Sequence, residues 1–283
     1  MLDFGVSPVF QPPIDRYYAF KLYFIILSCS LLSFAAVRFL FQGYPMRTVS
    51  GYRRLFFIGI IFLFSCRESE ELIREKFKSL TGRDEVTVVI FGDSVSGGRS
   101  YSVTGTSYGS FMKPMVEELL GSRVSMINSC EVGRTFKTSI RRVQEDILSF
   151  KPDIVLLMLG LEDSLQRGLI QPVFKNQVDD LLKLLQERSL FVIVLTPVGY
   201  RDIKGKDDPR YQRLKEFDDI IAYSSAYHHF PLIDVRVHME NILKSDPGEY
   251  KTMFSDPIHL SEKGHKAVAD FIMERVTTAL NRN

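Results

Sequence analysis

Excess charge of either sign is nearly absent: 36 lysines and arginines against 34 aspartates and glutamates leave a formal +2. So small a surplus makes no field that would hold a polyanion, and no basic face with interleaved aromatics occurs, so nucleic acid is not an expected partner. Cysteine is scarce too. Cys29, Cys66 and Cys130 are too few and too scattered for a disulfide framework or a Cys-rich zinc site, and Cys130 reads as a small buried apolar residue, not a nucleophile. The histidines form no metal pattern: His228, His229 and His238 lack suitably spaced carboxylates or cysteines, and His265 falls in a terminal amphipathic stretch where it is expected to be exposed. Neither a metal nor a cofactor is expected. Also missing are a Gly-x-x-x-x-Gly-Lys phosphate loop, a Gly-x-Ser-x-Gly elbow, any internal repeat and any low-complexity tract. At 283 residues with ordinary apolar and charged content, the chain has room for one large α/β domain and an appendage, not for two catalytic domains.

Long apolar runs are confined to residues 1–66. Leu22 to Val37 is uninterrupted between Lys21 and Arg38, and with its flanks approaches the roughly 20 residues that a spanning helix needs. Leu55 to Phe64 is too short to span. It follows Arg53 and Arg54 and breaks at Ser65-Cys66 into Arg67-Glu68-Ser69-Glu70-Glu71, which is the layout of a secretory signal. Leu63-Phe64-Ser65-Cys66 resembles a bacterial lipoprotein box, in which the cysteine, here Cys66, is lipidated after cleavage. Met46 stands where such a signal would start. Read from Met1 instead, the arginines between the two runs stay cytoplasmic and everything beyond Cys66 emerges outside. A cleaved lipoprotein and an uncleaved membrane anchor both remain open, and both place the domain on the extracytoplasmic side of a bacterial membrane.

Residues 67–85 read as a linker, and residues 86–283 as the functional domain. From Val86 onward, short β-branched runs alternate with amphipathic stretches, the pattern of βαβ units around a parallel sheet. Candidate strands are Val86 to Phe91, Val124 to Asn128, Ile154 to Leu159, Phe191 to Leu195 and Leu232 to Val235. Helical spacing recurs at Ile140, Val143, Ile147, Phe150 and at Val178, Leu181, Leu182, Leu185. A last helix is expected after Ser261, and Arg201 to Arg213 reads as a surface loop.

In such a sheet, ligands bind beyond the carboxyl ends of the strands, and three residue groups fall there. Gly92-Asp93-Ser94 follows the first strand, so that Ser94 is expected at an exposed strand-to-helix corner. Asp256-Pro257-Ile258-His259 precedes the last helix; three residues of spacing let one turn hold a carboxylate on imidazole Nδ1, freeing Nε2 to take a proton from a serine hydroxyl. The third group offers backbone donors: Gly133 after the second strand, and Gly160-Leu161-Glu162-Asp163 after the third. Nucleophile, base, orienter and oxyanion donors are together what acyl transfer requires.

The order Gly-Asp-Ser, a glycine after the second strand, Gly-x-x-Asp after the third and Asp-x-x-His before the last helix resembles the four blocks of SGNH/GDSL hydrolases. The resemblance covers about residues 86 to 280. It implies a flavodoxin-like three-layer α/β/α sandwich with a five-stranded parallel sheet, preceded here by N-terminal hydrophobic helices. It implies further that Ser94, Asp256 and His259 form a triad, and that the backbone amides of Ser94 and Gly133 face the oxyanion. The family's third oxyanion donor is an asparagine side chain, whose place Glu162 takes. A carboxylate only accepts hydrogen bonds and repels an oxyanion, so Glu162 is protonated and donating, or turned away into a salt bridge with Arg134 or Arg167, or a brake on turnover. The expected activity is hydrolysis of an extracytoplasmic ester, either an O-acetyl glycan or a lipid ester. An O-acyltransferase acting on envelope polysaccharide and a catalytically silent, membrane-anchored binding module are the alternatives.

Overall fold

The computed structural model describes residues 68–97, 107–205 and 207–282. The two apolar runs, Met46 and the expected lipidation site Cys66 lie outside these residues. Among the described residues no helix is long and apolar enough to cross a membrane.

Five strands, β1 (Glu85–Gly92), β2 (Arg123–Asn128), β3 (Ile154–Met158), β4 (Val192–Leu195) and β5 (Leu232–Ile233), form one parallel sheet in the order β2-β1-β3-β4-β5. Every residue of β3 and β4 is buried, as expected of strands covered on both faces. Alternate residues go to opposite faces. Val88, Ile90, Leu156 and Ile193 join one apolar cluster, whereas Val89, Phe91, Val155 and Val194 join another.

The first cluster is closed by α1 (residues 68–80), by α3 (Tyr108–Leu120) and by two later helices. The short α2 (Ser94–Gly97) lies between α1 and α3 in the chain. The second is closed mainly by α7 (Gln171–Glu187) and α8 (Pro209–Tyr227), the shorter α4 (Phe136–Ser139), α5 (Val143–Asp146) and α6 (Leu161–Leu165) preceding them. The helices α9 (Val235–Ser245), α10 (Pro247–Thr252) and α11 (Glu262–Asn281) complete the chain, and α9 and α11 pack on the first cluster. The result is the three-layer α/β/α sandwich expected. The direction of strand order reverses between β1 and β3, and in sheets of this kind ligands bind beyond the carboxyl ends at such a reversal.

Several expectations need correction. Residues 68–80 of the supposed linker are helical, and Ile73, Phe77 and Leu80 are buried in the first cluster. Glu70, also buried, receives hydrogen bonds from Arg275 and Arg282, so α1 is bound to α11 and belongs to the domain. The fifth strand stops at Ile233, because the Asp234 carboxylate accepts the Val237 amide at 3.1 Å and caps α9. The stretch from Ile140 to Phe150 is not one helix. Ile147 leaves helical geometry (φ −127°, ψ −63°), and Phe150 is exposed. The Arg201–Arg213 loop ends early, since Asp208 caps α8 and Pro209 supplies its first residue. His265 is buried, not exposed; burial and the nearby His259 push its imidazole down to about 4.

Candidate active site

The candidate site begins with the turn from β1 into α2. A Cβ at Gly92 would lie 2.6 Å from the Met158 carbonyl oxygen and 2.6 Å from Ser96 Oγ, so only glycine lets β1, β3 and α2 approach this closely. Asp93 stabilises the turn, its carboxylate accepting the Val95 amide at 3.0 Å and its carbonyl the Gly97 amide at 3.2 Å. Burial pushes the Asp93 carboxyl up to about 7, against the Val95 hydrogen bond and with help from the Glu162 charge. Ser94 follows, and only 3% of it is exposed, so the corner is closed and not the open turn expected from the sequence.

The partner loop lies 165 residues further along the chain. An antiparallel bridge between Phe254 and Leu260 and a hydrogen bond from the Ser255 amide to the His259 carbonyl (2.9 Å) pinch it shut. Within it, one oxygen of Asp256 accepts the amides of Ile258 (3.0 Å) and His259 (2.8 Å). The same carboxylate meets His259 Nδ1 at 2.8 and 3.0 Å, and His259 Nε2 lies 2.9 Å from Ser94 Oγ. Burial alone would raise the Asp256 carboxyl, but the two amides and the imidazole hold it down to about 2. The carboxylate therefore stays ionised at ordinary pH, keeps a proton on Nδ1 and leaves Nε2 to accept one.

Beyond β2, the chain makes two more ladder-like bonds to β1, from Ser129 N to the Ile90 carbonyl (2.9 Å) and from Glu131 N to the Gly92 carbonyl (3.0 Å). The Asn128 side chain donates to the Gly97 carbonyl at 3.1 Å and accepts the Cys130 amide at 3.2 Å, which ties this turn to α2. Gly133 sits at φ +71° with open space where a Cβ would be. Its glycine is required by torsion, not by crowding. Cys130 is buried, and burial drives its thiol far above the ordinary range, in keeping with a packing role.

After β3, Gly160 leads into α6. Asp163 is fully buried and accepts the Phe136 amide with both carboxylate oxygens (3.3 Å each), so α6 is joined to the turn that follows β2. Burial pushes Asp163 up to about 7, with the Glu162 charge adding to it. Glu162 is half-buried and makes no ion pair with a described residue. The salt bridge expected with Arg134 does not form, because that guanidinium is taken by Glu131 and Asp146. Arg167 makes no such pair either.

Sequence reasoning missed a brace behind these groups. The Ser164 and Tyr200 hydroxyls lie 2.7 Å apart, Arg213 donates to the carbonyls of Ser164 (2.6 Å) and Leu169 (2.8 Å), and the Arg201 amide donates to the Pro257 carbonyl at 3.0 Å. The loop after β4 thereby holds both α6 and the base loop. Its residues carry no local pattern, and only Tyr200's place just past a strand end hinted at a role.

A doubly wound sheet with a serine, a histidine and an ionised carboxylate joined in series at its carboxyl edge has the groups that serine acyl-transfer enzymes use, and the family match that follows narrows these to carboxylic ester hydrolases. The model of the GDSL-like lipase/acylhydrolase family matches residues 90–267, more than half of the chain, and the chain belongs to that family. Solved structures agree in fold. A putative GDSL-like lipase from Parabacteroides merdae is 21% identical, with a TM-score of 0.59 over 70% of this chain and 97% of its own. The lipase/acylhydrolase of Enterococcus faecalis is 22% identical, with a TM-score of 0.56 over 68% and 96%. An acetylxylan esterase from Geobacillus stearothermophilus, Axe2, is 19% identical, with a TM-score of 0.58 over 69% and 94%. Comparison with curated protein sequences gives no match.

Proposed function

We propose that the chain is a serine esterase that works through an acyl-enzyme on an extracytoplasmic ester, an O-acetyl glycan or a lipid ester. The observation that carries the reading is the continuous chain Ser94 Oγ, His259 Nε2, His259 Nδ1, Asp256, with separations of 2.9 and 2.8 Å. Ser94 Oγ attacks the ester carbonyl carbon while His259 Nε2 takes its proton, and the carbonyl oxygen becomes an oxyanion facing the backbone amides of Ser94 and Gly133. Collapse breaks the bond to the alcohol, which leaves with the proton from His259. Water then attacks the acyl-Ser94 carbonyl, again losing a proton to His259, and the acid departs as Ser94 regains its hydrogen. Asp256 orients the imidazole and balances its positive charge throughout.

The compartment rests on the apolar runs before Cys66 and the lipoprotein-like box around it. The substrate class follows from the compartment, with support from Axe2, named as an acetylxylan esterase. Labelling with a fluorophosphonate probe tests the mechanism. The wild type should label and Ser94→Ala should not, and equal labelling or equal ester turnover in the variant would end the triad assignment. Nitrophenyl esters of increasing chain length separate acetyl from long-acyl preference. Mass spectrometry of the mature N-terminus with and without Cys66→Ser separates lipoprotein from uncleaved anchor.

A further inference from the structure

Two arginines are buried among the described residues, Arg236, paired with Asp218 and Glu240, and Arg134, which stands beside the candidate site. Arg134 is 4% exposed, and burying a guanidinium is unfavourable unless several partners meet it. They do. The guanidinium donates to the Ser129 carbonyl at 2.6 Å and to Glu131 at 2.9 Å, pairs with Asp146 of α5, and lies 4.4 Å from the centroid of the Phe91 ring. Phe91 belongs to β1, three residues before Ser94. The other partners begin, occupy and brace the turn that contains Gly133.

Gly133 is exposed, and nothing lies within 4 Å of where its Cβ would be, so no packing wedges the peptide on that side. Its orientation is set from either side, by the Glu131 amide on the Gly92 carbonyl (3.0 Å) and by Arg134 itself. We propose that Arg134 is a positioning residue for the oxyanion site: its fork holds the 129–134 turn against β1, so that the Gly133 N–H stays in register with Ser94. The inference rests on the reading that Gly133 donates to the oxyanion. A planar five-donor fork can satisfy Ser129, Glu131 and Asp146 at once while stacking on Phe91; an ammonium cannot.

Arg134→Lys keeps the charge and loses the fork. Displacing one oxyanion donor by about 1 Å costs on the order of 100-fold, so the variant should lose about 30- to 100-fold in kcat on a nitrophenyl ester. KM should stay within about threefold, and the affinity for an alkylboronic acid, which mimics the tetrahedral oxyanion, should fall in parallel with kcat. Asp146→Asn removes one brace and leaves the fork in place; it should lose about fivefold in both readouts, and it tests the proposal should Arg134→Lys not fold. A lower melting temperature with kcat and boronate affinity unchanged in a folded variant would overturn the positioning role. Failure of the proposed serine-esterase reading, within which Gly133 faces the oxyanion, looks different: the wild type would then bind no boronate and Ser94→Ala would turn over normally, whatever stands at 134.

Discussion

Replacing Gly92 by alanine perturbs the site without touching any group that reacts. The added Cβ would sit 2.6 Å from the Met158 carbonyl oxygen, 2.6 Å from Ser96 Oγ and 2.8 Å from Ser96 Cβ. Ordinary contact needs about 3.4 Å, so a gap of roughly 0.6 to 0.8 Å must open. Met158 is the direct β3 partner of Gly92 and is held in the sheet, which leaves α2 as the element that yields. Ser94 is the first residue of α2, and its 2.9 Å hydrogen bond to His259 would stretch to about 3.5 Å, past a useful hydrogen bond. Overpacking of this kind costs about 1–3 kcal/mol, or about 3–10 °C of melting temperature in a domain of this size, and the displaced nucleophile should lose about 30-fold or more in kcat. Gly82→Ala is the matched control. Gly82 has positive φ (+75°), which Gly92 has not, and nothing within 4 Å, so alanine there costs backbone strain of about 1 kcal/mol without displacing a neighbour and should leave kcat alone. Steady-state kinetics on nitrophenyl acetate with calorimetry of both variants decides the matter. Wild-type kcat in a destabilised Gly92→Ala protein would refute the idea that close approach at this corner sets the nucleophile.

Glu162→Gln should raise kcat, because a neutral amide replaces a charge that opposes the oxyanion, and should shift the melting temperature by less than about 2 °C; a fall in turnover would show that the carboxyl contributes as a donor. Asp163 and Asp93, both raised to about 7, contribute stability that is fully present below their unfolded value near 3.8 and lost as pH rises through about 7. Melting temperature should therefore drop between pH 5 and pH 8, and Asp163→Asn, which keeps an acceptor for the Phe136 amide, should flatten that drop; an unchanged slope by differential scanning would count against these buried acids. Phe77→Ala should cost about 3 kcal/mol in urea unfolding, as expected for a core aromatic, whereas a true linker residue would cost nothing measurable.

What could be read from the sequence was local. Gly92, Asp93 and Ser94 are contiguous, Asp256 and His259 share one turn, and the apolar runs of β3 and β4 are short and unbroken, so each block carried its own signal. The helix at 68–80 carried one as well, Ile73, Phe77 and Leu80 at helical spacing, but the surrounding glutamates, lysines and arginines made the segment look solvated. Partners from distant segments could not be read. Nothing near position 265 announces that Tyr108 comes to lie beside it, with ring centroids 6.4 Å apart. Nor does the Glu131-x-x-Arg134 spacing reveal that Asp146 and the Phe91 ring close over the same guanidinium, so in the sequence a salt bridge from Glu162 to Arg134 stays one of three open alternatives. Helix caps fall between the two cases: Asp208 and Asp234 are ordinary capping residues, and weighing them would have ended the loop and the fifth strand where they do end.

Ser94 and His259 stand 165 residues apart in a chain made from its N-terminus. At about 5–20 residues per second, on the order of ten seconds or more pass between the birth of the nucleophile and that of its base. During this interval the serine is an ordinary alcohol, since the one imidazole that reaches it, His259, has not been made. The separation is therefore a timer. A nascent chain carries no esterase activity, and hydrolysis switches on only when the 254–260 loop closes on Ser94. Cutting the gene shortly before the codon for Asp256 would leave most of the sheet sequence intact and yield a product inert from first to last.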